Sequence, residues 1–313
     1  MSKFLVNCSV IISTYTTKRC KDLVRCLKSI KRQSIQPDEV IVVLDPSEKL
    51  LRFYSKRLKR FNVKIILSQG FGLSNARNTG IEVSKGEILV FIDDDAYAKR
   101  NWLEKLLKNF EDEKVWVVGG KVVPKFKMSR PKWFPKELDW IVGCSYKGMS
   151  ESREVRNPLG ANMAFKRSVF KEVGLFRTEI GRFGKLLLGS EETELCIRLK
   201  KKFPDIKIVY EPSAVVYHKV SKERLSFTYV LKRAYYEGVS KAVISNGFKL
   251  GNEKFYLKFL VKSIFSYFSK LKIRKVFIII LVICSTLTGF SLHKIRKSFQ
   301  VKKYFYQSES KSS

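Results

Sequence analysis

Through its first 120 residues the chain alternates between short apolar runs and longer stretches whose apolar positions recur every three or four residues. The runs are "NCSVIIS" (7–13), "DEVIVVLD" (38–45), "NVKIILS" (62–68), "GEILVFID" (86–93) and "KVWVVGG" (114–120). Their length and their Val and Ile content predict strands. The stretches between them, around 22–32, 47–60, 73–84 and 101–112, predict amphipathic helices. Strand and helix alternating at this rhythm predict an α/β fold with a parallel sheet covered by helices on both faces. Ligands of such sheets bind beyond the carboxyl ends of the strands. Asp45 and the group Asp93–Asp95 both stand at such ends, so the pattern alone aims them at one crevice.

Past residue 120 the pattern loosens. Residues 121–158, rich in Pro, Trp and Lys, predict a long surface connection that forms part of a binding wall. A second βα-like portion runs from Asn157 to about Val220, and beyond Ser221 the chain becomes helical and basic. In 253–275, Phe255, Leu257, Leu260, Val261, Ile264, Phe265 and Phe268 stand among Lys254, Lys258, Lys262, Lys270 and Lys272. That arrangement suits a helix lying in a membrane interface. Val276 to His293 is an uncharged run of 18 residues, about 27 Å long as a helix and at the lower edge of what crosses a bilayer. Lys270, Lys272, Arg274 and Lys275 precede it, and Lys294, Arg296, Lys297, Lys302 and Lys303 follow it. A single span would leave one basic cluster outside, against the positive-inside tendency. Three readings therefore stand: a span, a re-entrant or in-plane helix, and a buried helix of a soluble domain.

Charge sharpens this picture. The 313 residues carry 62 Lys and Arg against 29 Asp and Glu, a formal charge of +33. Such an excess implies an anionic partner: nucleic acid, lipid headgroups or a phosphorylated substrate. From Lys241 onward there are fifteen basic residues against Glu253 and Glu309, so 73 residues carry +13. No nucleic-acid-binding module is recognisable, and the charge concentrates beside an apolar segment, which points away from nucleic acid. At 45 % hydrophobic residues the chain has enough apolar mass for a sizeable core. The six cysteines form no CxxC pair and no regular spacing, which predicts a reducing interior without disulfides or a zinc site. The apolar start reads as a first strand and lacks a separate apolar region with a cleavage site, so no signal peptide is expected.

The strongest chemical signal is the strand 88–92 ending in Asp93, Asp94 and Asp95. Three adjacent carboxylates repel one another unless a positive charge is present. An aspartate cluster at a strand end is a usual holder of Mg²⁺ or Mn²⁺ through oxygen ligands. The competing reading is a solvated turn.

The ordered set "SVIISTY", "IVVLD", "GLSNARNTGIEVSKGEILVFIDDDA", "GANMAFKRSVF", "GSEETELCIRL" and "VVYHKV" resembles the inverting family 2 glycosyltransferases of the GT-A fold, from about residue 6 to 245. The resemblance implies a nucleotide-sugar site. Ser13, Thr14 and Tyr15 would wall the nucleotide base, Asp45 would bond to it, and Arg77 would lie near base and diphosphate. Asp93 would approach the ribose and Asp95 the metal, with Asp94 between them, and His218 would complete the metal site. Glu191 and Glu192 fill a position that is more often Glu-Asp in the family. Glu192 is assigned the catalytic base and Glu191 is its alternative. Read from the residues alone, "SEETEL" is also a helix start capped by Ser190. Asn162 in "GANM" would touch the donor sugar.

The implied protein is a GT-A catalytic domain over 1–220, with a nucleotide-sugar half of about 1–120 and an acceptor half of about 121–220. A helical extension over 221–252 and a basic, membrane-associated tail over 253–313 follow. The QxxRW-type motif and multiple spans of processive synthases are not found, which favours single-sugar addition. The nearest resemblance is to archaeal enzymes that extend dolichyl-phosphate glycans in N-glycosylation, glucuronosyltransferases among them. The implied partners are a nucleotide-sugar donor, a lipid-linked glycan acceptor and an anionic membrane surface, with the catalytic domain on the cytoplasmic face of the cell membrane. Two alternatives remain: a polyprenyl-phosphate sugar synthase or transferase for surface polysaccharide, and a non-catalytic membrane-bound nucleotide-sugar-binding protein.

Overall fold

The computed structural model describes residues 7–127, 129–149, 153–182, 187–245 and 251–309, with side chains described up to residue 295 apart from 251 and 252. The first six residues of the expected leaderless start, and the side chains of Arg296, Lys297, Lys302 and Lys303, lie outside the described residues.

The five expected strands form β1 (Cys8–Thr14), β2 (Glu39–Leu44), β3 (Lys64–Leu67), β4 (Ile88–Ile92) and β6 (Val115–Phe126). The expected helices are α1 (Cys20–Lys31), α2 (Glu48–Arg57), α3 (Leu73–Val83) and α4 (Trp102–Lys108). The second βα-like portion supplies β7 (Asn162–Lys166) and β8 (Lys207–Val220), and one short strand, β5 (Ala96–Ala98), escaped the pattern. All eight form one sheet in the order β3-β2-β1-β4-β7-β6-β8-β5.

The expectation of a purely parallel sheet is corrected. β3, β2, β1 and β4 are parallel, but β7 runs antiparallel to both β4 and β6, and β5 runs antiparallel to β8. The expected surface connection is corrected too. Residues 121–126 continue β6, and Phe134, Leu138, Ile141, Val142 and Cys144 are fully buried.

Alternation along the strands divides the core. Val10, Ile12, Val42, Leu44 and Val90 face the layer that holds α1, α2 and α4. Ile11, Ile41, Val43, Leu89 and Phe91 face α3, α5 (Arg167–Val173) and α6 (Glu191–Lys202). Residues that alternate in this way are buried on both sides of the sheet, which is why the strands read as continuous apolar runs.

Three helices close the chain: α7 (Phe227–Ile244), α8 (Gly251–Phe268) and α9 (Ile273–Glu309). Val230, Leu260, Ile278, Ile279 and Val282 join the core on the α1 side of the sheet. The proposed apolar face of 253–268 is split, because Leu260 packs inward while Phe255, Phe265 and Phe268 are exposed. α9 contains a 23-residue stretch, Ile273–Ile295, long and apolar enough to cross a membrane, with mean hydropathy 2.2. Only 28 % of its most apolar stretch is buried, with Ile278, Ile279 and Val282 against the core and Phe277, Ile280 and Leu287 exposed.

α7 and α9 cross at backbone contact. A Cβ on Gly238 would fall 1.9 Å from the carbonyl oxygen of Thr286, and one on Gly289 would fall 2.1 Å from that of Tyr235. Alanine for glycine inside a helix ordinarily stabilises by about 1 kcal/mol. Gly238→Ala is expected to do the opposite and destabilise by roughly 1–3 kcal/mol, the usual range for overpacking. Denaturant unfolding of the detergent-solubilised chain reads the sign.

Candidate active site

β1 ends at Thr14, β2 at Leu44 and β4 at Ile92, all pointing the same way. Thr14, Asp45 and Asp93 therefore emerge together at one edge. After Asp93 the chain turns, with Ala96 N donating to Asp93 O at 3.0 Å, and enters β5. β5 pairs with the far half of β8 so that Ala96 lies opposite His218, and Lys219 N donates to Asp95 O at 3.0 Å. An irregularity in the β6–β8 pairing between Gly120 and Lys121 shifts the register before that half begins. Such irregularities bend strands and re-aim their side chains.

The result is a three-residue group. His218 Nε2 lies 3.1 Å from Asp95 Oδ1 and 3.9 Å from Asp93 Oδ2. One ligand-type atom from each residue lies within 4.8 Å of the others, a group that could hold a metal ion. Asp95 Oδ1 is buried without a hydrogen-bond partner. Two neighbouring ligands on an octahedral cation with bonds of about 2.1 Å stand about 3 Å apart, which matches the Asp95–His218 separation. Two carboxylates and one imidazole suit a hard or borderline divalent cation. Cys144 Sγ lies 3.9 Å from His218 Nδ1. Burial pushes that thiol well above its ordinary value, so it backs the ring as a neutral group.

Asp94 points elsewhere, accepting from Thr14 Oγ1 at 2.5 Å and Arg19 Nη1 at 2.7 Å. Arg19 also lies 3.2 Å from Asp95 Oδ2, and Arg224 Nη2 lies 3.8 Å from the same oxygen. Burial alone would raise the Asp95 carboxyl, but His218, Arg19 and Arg224 outweigh it and hold the group well below the usual carboxylate range.

α6, which adds two acids to the same cleft, begins at Glu191. The residue before it, Ser190, adopts a left-handed backbone with φ 73° and makes no side-chain cap, so the expected Ser190 cap is corrected. Such a conformation costs on the order of 1 kcal/mol or more for a residue other than glycine, and it collects at functional sites. Glu191 is buried and paired, with Arg77 Nη1 donating to its Oε1 at 2.7 Å. Arg77 also donates to Gly160 O at 3.0 Å and lies 3.7 Å from Asp93 Oδ1. Glu192 lines the cleft and has no ion pair among the described residues. Burial, reinforced by the neighbouring Glu191 charge, pushes its carboxyl up to about 8.

These groups share one cleft of about 560 Å³ that brings together Ser13, Thr14, Tyr15, Asp45, Arg77, Asp93, Asp94, Glu191, Glu192 and His218. Asp95 joins it through His218 and Asp93. Burial pushes the Asp45 carboxyl up. A larger opening of about 680 Å³ beside α1 is lined by Arg25, Lys28, Arg32 and Arg100 and holds no carboxylate or histidine, so it is not the chemical centre.

Asn162, expected near the donor sugar, does not line the cleft. It is fully buried, accepts from Trp102 Nε1 at 2.7 Å, and donates to Lys121 O at 3.1 Å and Ala214 O at 2.9 Å. It ties β7 to the irregular part of the β6–β8 pairing. Asn162→Ala is expected to destabilise by about 3 kcal/mol, because it leaves the buried Trp102 indole and Ala214 carbonyl unpaired and removes the bond to Lys121 O. Denaturant unfolding measures that loss, and the nucleotide KM should be little affected.

Sequence reasoning missed Arg19, Trp140, Arg182, Arg224, Tyr229 and Arg233, all of which line the cleft. Among 62 basic residues, no local pattern marks the few that fold inward.

The comparisons with known proteins agree with this architecture. Residues 9–174 match the model of the glycosyl transferase family 2. The chain is 33 % identical over 240 residues to the glucosyl-dolichyl phosphate glucuronosyltransferase of Haloferax volcanii, covering 75 % of this chain and 76 % of that protein. It is 28 % identical over 182 residues to the glycosyltransferase AglE of the same organism, covering 56 % and 58 %. In structure it resembles a mannosyltransferase from Pyrobaculum calidifontis solved with GDP-Man and Mn²⁺, with TM-score 0.60, 18 % identity and coverage of 91 % and 87 %. The chain belongs to glycosyltransferase family 2. It is a glycosyltransferase with the GT-A fold, built on a mixed sheet and extended by a long apolar C-terminal helix.

Proposed function

We propose that the protein transfers one sugar from a nucleoside-diphosphate sugar, with a UDP-sugar favoured, to a hydroxyl of a polyprenyl- or dolichyl-phosphate-linked glycan, inverting the anomeric centre. The observation that carries this reading is the one cleft lined by both Glu192 and the Asp93–Asp95–His218 group. The likeness to a glucosyl-dolichyl phosphate glucuronosyltransferase over three quarters of both chains supports the acceptor class and makes UDP-glucuronate or UDP-glucose the first donors to try.

In this reading Ser13, Thr14, Tyr15 and Asp45 receive the nucleotide, at the strand ends where such sheets bind ligands. Asp93, Asp95 and His218 would hold Mg²⁺ or Mn²⁺, whose charge neutralises the departing diphosphate. Arg19 and Arg224 add positive charge at the same place. Arg77 engages Glu191 at 2.7 Å and holds it in place, which leaves Glu192 as the base. Glu192 takes the proton of the acceptor hydroxyl while that oxygen attacks the anomeric carbon opposite the leaving group. One displacement gives inversion.

The exposed Phe255, Phe265 and Phe268 of α8 and the apolar stretch of α9 suit attachment to an anionic membrane, where each nearby basic residue adds about 1 kcal/mol. Such attachment would bring the cleft close to a lipid-linked acceptor.

Nucleotide release from a panel of UDP- and GDP-sugars tests the reading, using detergent-solubilised protein with Mn²⁺ and a short polyprenyl-phosphate glycan. Release that needs metal and acceptor together supports it. Binding of a donor without turnover would instead favour a non-catalytic nucleotide-sugar-binding protein.

A further inference from the structure

Arg233 is a buried cation with unused bonding capacity. It is 9 % exposed, and its Nε has no hydrogen-bond partner. Its Nη1 lies 2.8 Å from Glu237 Oε2, yet not in hydrogen-bonding geometry. Glu237 is shared, because Lys241 Nζ lies 3.2 Å from its other oxygen. Lys241 in turn shares Glu253 with Arg156, at 2.7 Å and 2.6 Å. This chain of three cations and two acids carries a net +1, and Arg233 is its end in the cleft. The hydroxyl of Tyr229, one turn earlier on α7, is also buried, beside Arg182 and without a well-aligned hydrogen bond among the described residues. Burial by itself would raise that phenol, but Arg182, Arg224 and Arg233 outweigh it and hold it lower than usual. Buried donors left unpaired are costly, and a guanidinium beside a hydroxyl is the donor set that oxyanions fill.

The position of this donor set is specific. Arg233 Nη2 would stand 3.3 Å from a Cβ on Gly189, in the segment that leads into Glu191 and Glu192. Gly189 N donates to Ser240 Oγ of α7 at 3.1 Å, which ties the two elements together. The donor set thus adjoins the segment that carries the proposed base, and Arg224, 3.4 Å from His218 Nε2, stands between it and the metal-type group. α7 also packs on α9, where Gly238 meets Thr286 and Ser285 Oγ donates to Leu231 O at 2.8 Å. α9 leaves Phe277, Ile280 and Leu287 exposed. Arg233 therefore belongs to a helix that touches the segment of the proposed base and packs on the partly exposed apolar α9, a neighbourhood that suits the phosphate between a sugar hydroxyl and a hydrocarbon chain.

We propose that Arg233, with Tyr229 and Arg182, seats the phosphate that links the acceptor sugar to its lipid. The proposal rests on the lipid-acceptor reading above and adds the residues that select for the phosphate. A uronate carboxylate on the donor is the other oxyanion such a seat would accept, and the test separates the two.

Full-length protein in detergent, with Mn²⁺ and a donor that turns over, would be given two acceptors carrying the same sugar. One is a prenyl-phosphate glycoside and the other a neutral alkyl glycoside. Wild type should prefer the phosphate-linked acceptor in kcat/KM. In Arg233→Gln the KM for that acceptor should rise at least tenfold, with a much smaller rise for the neutral one, so that the preference collapses. Arg233→Lys should restore part of it, and Tyr229→Phe, which removes one oxygen only, should shift the same KM in the same direction. Equal losses on both acceptors would overturn the seat and make Arg233 a structural residue. A rise in donor KM confined to a uronate donor would assign the seat to the donor. Wild type that uses both acceptors equally removes the seat alone, whereas wild type that uses neither removes the lipid-acceptor reading and the seat with it.

Discussion

Replacing Glu192 by Gln is expected to lower kcat by about 10²–10⁴-fold, the usual contribution of general-base help, while donor KM changes little. The side chain keeps its size and loses only the ability to take a proton. Glu191→Gln should act differently, because Arg77 would lose its 2.7 Å partner. Breaking a buried pair leaves an uncompensated charge and costs several kcal/mol, so the loss in that variant should appear largely as instability. The pH profile separates the two roles further. A base works only when unprotonated, so the rate falls as pH drops below its pKa. With Glu192 pushed up to about 8 by burial and the Glu191 charge, the acid limb should lie near that pH and well above the ordinary carboxylate range. Whatever activity remains in Glu192→Gln should lack this limb. A limb near pH 4 in wild type, or one that survives in the variant, would move the base elsewhere.

Asp95→Asn is expected to weaken Mn²⁺ by more than about 100-fold. Supporting residues around metal ligands alone account for about 10–100-fold, and this substitution removes a charged ligand candidate. Two readouts separate binding from chemistry: the Mn²⁺ concentration that gives half-maximal turnover, and the rise in melting temperature caused by Mn²⁺ without donor. Both should shift together. Asp94→Asn should leave the metal response nearly intact, because Asp94 answers to Thr14 and Arg19 instead of His218. It should lower stability through the loss of a buried acceptor. If Asp94→Asn abolished the Mn²⁺ response and Asp95→Asn did not, the assignment within the aspartate triplet would be reversed.

What the sequence disclosed follows from what its period records. Apolar strands such as "SVIIS" and "ILVFI" are legible because both faces of the sheet are covered, and the helices on either side reveal themselves by their own period. Strand direction leaves no such mark. β7 therefore entered the sheet antiparallel without warning, and β5 is too short for its three residues to show any period. The convergence of Asp93, Asp95 and His218 depends on that short strand, since Ala96 opposite His218 closes the group. From the residues alone these were an aspartate run and a lone histidine 123 positions beyond Asp95, and family resemblance joined them. Asn162 shows the opposite failure. An amide that could have touched a sugar is consumed by two backbone carbonyls and an indole, and its residue type does not distinguish the two uses. The inward arginines were hidden by the surrounding excess of basic surface, and only burial and pairing separate Arg77 or Arg233 from the rest.

The most direct test of transfer to a lipid-linked sugar is the mass of the lipid product. Purified chain, Mn²⁺, a nucleotide sugar and a prenyl-phosphate glucoside should yield a lipid heavier by one sugar residue, with none formed by Glu192→Gln. Nucleotide released while the lipid keeps its original mass would contradict the account.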